Sequence, residues 1–316
     1  MTDISLNVRT APRGGWFDPI FRFACLAAAT TLLAALAGVV VSLAVGGWPA
    51  LHRFGLQFFT TTTWNPVTEV YGAAGPIVGT LVTSALALAF ALPIALGVSI
   101  FLVEFCPRVL AQPIAIAVEL LAGIPSIVYG MWGLFVLAPF FALHVQVPLM
   151  MNLQEGSIWE KLLSGVPNGA NIFTASLILA IMILPYMAAV FRELLLTVPP
   201  QVREAAYGIG CTPFEVVGSV SLPYVRTGAV GVVMLGLGRA LGETMAVTFI
   251  IGNAHGLPKS LFDSGATLAS TIANEFTEAT GAMHTAALTA LGLVLFVITF
   301  GVLAIARALL ASQQTY

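Results

Sequence analysis

Residues 236–247 read GLGRALGETMAV, placing Arg239 and Glu243 four positions apart in an apolar run from Val225 to Gly252. A guanidinium is a planar fork of donors that fits phosphate and other oxyanions. A charged side chain at the centre of a bilayer costs about 2.5–3.5 kcal/mol on insertion scales. Two such charges in a membrane segment therefore call for a reason. On a continuous helix, residues four apart share one face. One reading is an ion pair that only eases insertion. The other is an anion path in which Glu243 holds Arg239 in place, or releases it when an anion arrives. Arginine before glutamate is the less favoured helical order, and an apolar pair would be cheaper than buried ions. Gly236, Gly238, Ala240, Gly242 and Ala246 add a small-residue surface that another helix or a solute can approach. These residues point to an oxyanion path without specifying the anion.

A second constellation lies upstream in EAAYGIGCTPFEVVGSVSLP, Glu204 to Pro223. Ala205 and Ala206 favour a compact helix. Gly208 and Gly210 allow a sharp turn with positive φ. Thr212 as cap and Pro213 at the first helical position open a second short helix. Such a helix pair is a knob that can fill a groove on another protein; the bland alternative is a hairpin joining two spans. The chain has no G-x-x-x-x-G-K-[ST] loop, and Lys161 and Lys259, its two lysines, follow Glu160 and Pro258. Any ATP-driven step is therefore expected from a partner in trans.

The elements that position these residues can be read from composition. The sequence is 59% hydrophobic and 8% charged, where a soluble domain has about a quarter of its residues charged. This is an integral membrane protein. The apolar run after Arg22 is too long for a secretory signal and long enough to span a bilayer. Six spans are expected, at 21–46, 76–103, 109–144, 171–191, 224–252 and 285–309. The third holds a shorter helix, 109–122, carrying Glu119; GIP then breaks the pattern and Pro125 starts a new helix. Pro93 and Pro185 are read as helix kinks. The organisation is a tail 1–20, a first transmembrane helix 21–46, an outer loop 47–75, a core 76–310 containing the inner loop 192–223, and a tail 311–316. With the N-terminus inside, inner segments hold Arg9, Arg13, Arg22, Arg108, Arg192, Arg203, Arg226 and Arg307, and outer loops hold Arg53, Lys161 and Lys259. This asymmetry places both termini in the cytoplasm. The outer acids are Glu69, Glu155, Glu160, Asp263, Glu275 and Glu278. Cys25, Cys106 and Cys211 stand alone, without metal-ligand spacing.

The inner loop resembles the EAA loop of ABC importer permeases: E-A-A, three residues, G, nine residues, an aliphatic residue, any residue, L-P. Every spacing matches; Val220 stands where isoleucine is commonest. GLGRALGETMAVTFIIGN (236–253) and ELLAGIPSIVYG (119–130) resemble the PstC-type permeases of the high-affinity phosphate importer, over nearly the whole chain. The PstA-type paralogue typically has ARAxGET followed by a proline-containing stretch. The resemblance implies an all-α membrane protein with the six-helix type I ABC importer permease fold, in the bacterial inner membrane. It implies alternating access for inorganic phosphate with a PstA-type permease, two PstB-type ATPases that use ATP and Mg, and a PstS-type periplasmic phosphate-binding protein. No cofactor or metal bound by this chain, and no nucleic-acid partner, is expected. Arg239 and Glu243 would line the path, with Glu119 a weaker candidate. Glu204, Ala205, Ala206, Gly210, Val220, Leu222 and Pro223 would dock the ATPase. Sulfate or molybdate is the alternative cargo, since an EAA loop fits either. A secondary transporter or channel would lack the EAA loop and often show an internal repeat; a membrane sensor or scaffold is a third class.

Overall fold

A computed structural model of the chain describes residues 17–153 and 156–311. Arg9, Arg13, Glu155, the tail 312–316 and most of the tail 1–20 lie outside the described residues. The chain divides into two units, Met1–Val45 and Gly46–Tyr316. The described part of the first is helical throughout, with its apolar side chains exposed apart from the half-buried Val40, Leu43 and Ala44. That helix, α1 (Phe17–Phe54), continues through Gly46, Gly47 and Pro49, beyond the expected end at 46.

Six helices among the described residues are long and apolar enough to cross a membrane. After α1, the outer loop carries a two-stranded antiparallel hairpin, β1 (Trp64–Asn65) and β2 (Val70–Tyr71). Next come α2 (Ala74–Phe105), the shorter α3 (Arg108–Ala122) and α4 (Ser126–Asn152), with Pro125 as the N-cap of α4. α5 (Ile172–Leu196) opens on Asn171, whose side chain accepts from Thr174 N at 2.9 Å. α6 (Pro200–Gly208) and the first turns of α7 (Pro213–Leu241) form the inner loop. α8 (Met245–Ile250), α9 (Leu268–Glu275) and α10 (Ala282–Ala311) complete the core.

α5 is the central helix. Ile178, Leu179, Met182, Ile183, Met187 and Phe191 are all within 2% of full burial. They pack against a small-residue stripe on α2, Ala87, Ala91 and Ala95, and against Val232 and Ala240 of α7 and Ala246, Val247 and Ile250 of α8. Residues four apart stack on one helix face, and small side chains there let helices approach closely without a hydrophobic drive from water.

Proline shapes these helices in a regular way. Four π-helical turns occur among the described residues: Phe101–Phe105, Gly133–Leu137, Ala142–Gln146 and Val217–Ser221. Each ends two residues before a proline: Pro107, Pro139, Pro148 and Pro223. A proline ring clashes with the carbonyl four residues back, and a wider i→i−5 turn relieves that crowding. Pro93 and Pro185 lie inside regular helix.

Candidate functional site

The expected fifth span is not one helix. α7 stops at Leu241, Gly242 is its C-cap (φ −92°, ψ 0°), and a new helix starts at Met245. Arg239 is in the last turn of α7, and Glu243 is in the break. The two therefore do not share a helix face, and no ion pair forms between them within 4.0 Å. The break corrects the expectation that Glu243 holds Arg239 directly, and it removes the shared helix face on which the alternative, mutual neutralisation, depends. Glu243 turns to the next helix: its Oε1 accepts from Ala246 N at 3.1 Å. That N–H is one of the orphan donors of a helix start, so the carboxylate is occupied by capping. Arg239 is exposed, and its guanidinium carbon stands 5.7 Å from the centre of the Tyr186 ring on α5. A cation held over an aromatic face keeps its edge donors free. The fork is presented by Tyr186, not by Glu243.

The motif at 119–130 buttresses the break. A Cβ on Gly130 would lie 2.9 Å from Ala246 Cα, so only glycine lets α4 approach α8 there. Tyr129 Oη donates to Leu121 O at 2.9 Å and fixes the α3–α4 corner. Glu119 does not join Arg239. It is half-exposed and faces Arg192 at 3.8 Å, and Arg192 also pairs with Glu193 at 2.8 Å.

The inner loop folds as a knob. Cys211 N donates to Ala206 O at 3.1 Å and Gly210 N to Tyr207 O at 3.0 Å, with Gly210 at φ +95°. This is a Schellman C-cap with Gly210 at its left-handed position. It explains the spacing in the sequence: the carbonyl of the second alanine must meet the N–H after the glycine. Gly208, in contrast, is ordinary helix. Thr212 and Glu215 make a reciprocal capping box, with Thr212 N donating to Glu215 Oε2 at 2.7 Å. The second helix is not a separate element, because it runs into α7 through the π-turn at Val217–Ser221. Val220, Leu222 and Pro223 thus belong to the start of the fifth long helix. Glu204, Ala205, Gly210 and Pro223 are exposed, Val220 and Leu222 half-buried, and Ala206 buried. Ile209 and Phe214 are exposed by 84% and 78%, which the sequence did not announce, and the Phe214 ring lies 5.2 Å from that of Phe105 on α2.

A further polar cluster gathers at the opposite end. Glu275 Oε1 faces His255 Nε2 at 2.9 Å; its Oε2 faces His284 Nε2 at 2.8 Å and accepts from Trp64 Nε1 at 2.6 Å. Tyr71 stacks on His284, with ring centres 5.5 Å apart. This clasp ties the hairpin, the segment after α8, α9 and α10 together. Burial alone would raise the Glu275 carboxyl; the bonds from His255, Trp64 and His284 outweigh it and hold the group below the ordinary value of 4.5. A depressed carboxylate pKa contributes stability above the unfolded value and loses it as pH falls through the folded one. Glu275→Gln should cost about 1–3 kcal/mol at neutral pH. The deficit should close when pH drops well below 4.5. Thermal unfolding in detergent across pH checks both; an undiminished gap in acid would refute the carboxylate's role.

The family described as binding-protein-dependent transport system inner membrane component matches residues 95–312. The phosphate transport system permease protein PstC of Mesorhizobium japonicum is 54% identical over 95% of this chain and 92% of its own length. That of Haemophilus influenzae is 50% identical over 95% of each. Among solved structures, a bacterial alginate ABC transporter aligns with a TM-score of 0.58 at 15% identity, covering 92% of this chain and 95% of that one. The inward facing MetNI methionine ABC transporter aligns at 0.53 and 20% identity, covering 78% and 99%. These likenesses show the fold. The chain is a multi-pass inner-membrane protein that belongs to the binding-protein-dependent transport system inner membrane components, in the group that holds the phosphate transport permeases of the PstC type.

Proposed function

We propose that this chain is the permease subunit of an ATP-driven importer of inorganic phosphate. It would form the translocation path with a PstA-type paralogue by alternating access. Two PstB-type ATPases would hydrolyse ATP with Mg on the cytoplasmic side, and a PstS-type protein would deliver phosphate from the periplasm. The observation that carries the reading is Arg239, a guanidinium in an apolar segment with no carboxylate partner within 4.0 Å among the described residues, set over the Tyr186 ring beside a helix break. A phosphate oxygen pair matches such a fork. Glu243 contributes by capping α8 and so fixing the break beside the fork. The likeness to relatives named for phosphate transport supports phosphate over sulfate or molybdate. The Schellman-capped knob, with Ile209 and Phe214 exposed on it, suits docking in trans. Both termini and Cys211 would be cytoplasmic, and Lys161 and Lys259 periplasmic.

The test is reconstitution of the whole complex in proteoliposomes with its binding protein. Uptake should require internal ATP, saturate with phosphate, and persist in excess sulfate or molybdate. Equal uptake of sulfate or molybdate would favour the alternative cargo. An impermeant thiol reagent should reach Cys211 only from the cytoplasmic side.

A further inference from the structure

One buried carboxylate ties the knob to the second long helix. Glu104 lies in the π-helical end of α2, with its side chain 5% exposed. Its Oε1 accepts from Arg203 Nη1 at 3.1 Å and from Ser221 Oγ at 3.3 Å. Arg203 precedes Glu204 on α6, and Ser221 closes the π-turn of α7. A single oxygen therefore gathers three elements. Arg203 Nη2 also donates to Val198 O at 3.2 Å, just after α5. Arg203 Nε is buried without an acceptor.

Static stability does not explain this arrangement. A buried ion pair is often no better than apolar residues of the same volume, and an unmatched buried N–H is a cost. What the pair does fix is register. The carboxylate sets how α6 sits against the end of α2, and burial shields it from salt. Glu104 and Ser221 are both carried by π-turns ahead of prolines, Pro107 and Pro223. Conversion between π and α geometry displaces the downstream helix by one residue, about 100° of rotation. The π-turns of α2 and α7 therefore lie where such a conversion would reorient a helix end.

We propose that Glu104 is the positioning residue that transmits movement of the docking knob, through Arg203 and Ser221, to α2. The inference rests on the reading of the knob as the ATPase dock. A partner that displaces α6 pulls Arg203; Glu104 moves with it, and so does the helix whose Ala87, Ala91 and Ala95 pack on α5. Tyr186, the platform for Arg239, is on that same α5.

The test uses the complete transporter in proteoliposomes, with two readouts: ATPase subunit retained on purification, and phosphate imported per ATP hydrolysed. Glu104→Gln should retain the ATPase subunit and continue to hydrolyse ATP, while phosphate per ATP falls about fivefold or more. Glu104→Asp should recover part of the ratio. A wild-type ratio in Glu104→Gln overturns the proposal. If Glu104→Gln does not assemble, the apolar pair Glu104→Met with Arg203→Met decides. Assembly with a low ratio supports transmission; assembly with a wild-type ratio, or no assembly, leaves a structural role only and overturns it. Gly210→Val separates the two readings. If it leaves the ATPase subunit bound, the docking reading fails whatever Glu104→Gln does.

Discussion

Arg239→Lys is expected to assemble normally and to import phosphate at about a tenth of the wild-type rate or below, a loss of roughly 1.4 kcal/mol in anion recognition. Arg239→Gln should be lower still. Lysine keeps the charge but loses the planar fork that Arg239 sets over the Tyr186 ring. Glu243→Gln is the informative partner. An amide oxygen can still accept from Ala246 N, so the helix start survives. If Arg239 stands on Tyr186 and not on Glu243, this variant should keep most of its uptake. The reciprocal swap, Arg239→Glu with Glu243→Arg, is a poor arbiter. It would leave the Ala246 N–H without its acceptor and fail on either reading. Initial uptake rates in proteoliposomes, with ATPase retention measured beside them, check the set. Wild-type uptake by Arg239→Lys would remove Arg239 from the path. A collapse in Glu243→Gln equal to that in Arg239→Gln would restore the ion-pair reading.

The long helices are legible in the sequence because a bilayer leaves the chain no alternative. Backbone polar groups must be satisfied within the segment, so about 20 apolar residues announce a helix. Helix ends are not legible in the same way. Gly46, Gly47 and Pro49 read as breakers, yet α1 runs through them. The break in the fifth span is hidden because apolar residues continue on both sides of it. Its signals are local: Gly242 as a helix stop, then Glu243 and Thr244 ahead of a new start. Four-residue spacing implies a shared face only where the helix is continuous, and the expected hold of Glu243 on Arg239 fails on that condition. The caps of the knob are legible at Gly210, Thr212 and Pro213, since caps and turns are encoded in neighbouring positions, whereas the helical place of Gly208 and the merging of the second helix into α7 are not. The Glu275 clasp is not. Trp64 and Glu275 are 211 residues apart, and neither is marked by its neighbours. That two of the chain's four histidines flank Glu275 in sequence is the available hint.

Gly210→Val should uncouple the transporter through the backbone alone. A Cβ at Gly210 meets nothing within 4 Å, so steric clash is not the mechanism. The penalty comes from φ +95°, where an L-residue is strained by about 1–2 kcal/mol and a β-branched one by more. The Schellman bonds from Gly210 N and Cys211 N hold that geometry, so relief of strain means their loss. The exposed Ile209 and Phe214, on either side of the turn, would then be displaced relative to each other. A shift of about 1.4 kcal/mol lowers the docked population tenfold. The expected signature is an inserted protein that loses the ATPase subunit on purification and loses ATP-driven uptake with it. Graded substitutions isolate the cause. Asparagine tolerates left-handed backbone better than alanine, and alanine better than valine. Uptake should therefore fall in the order Gly210, Asn, Ala, Val. Equal loss in all three variants would mean that the glycine is needed for room against the partner, and the strain argument would fail. Wild-type uptake by Gly210→Val would remove the knob from energy coupling altogether.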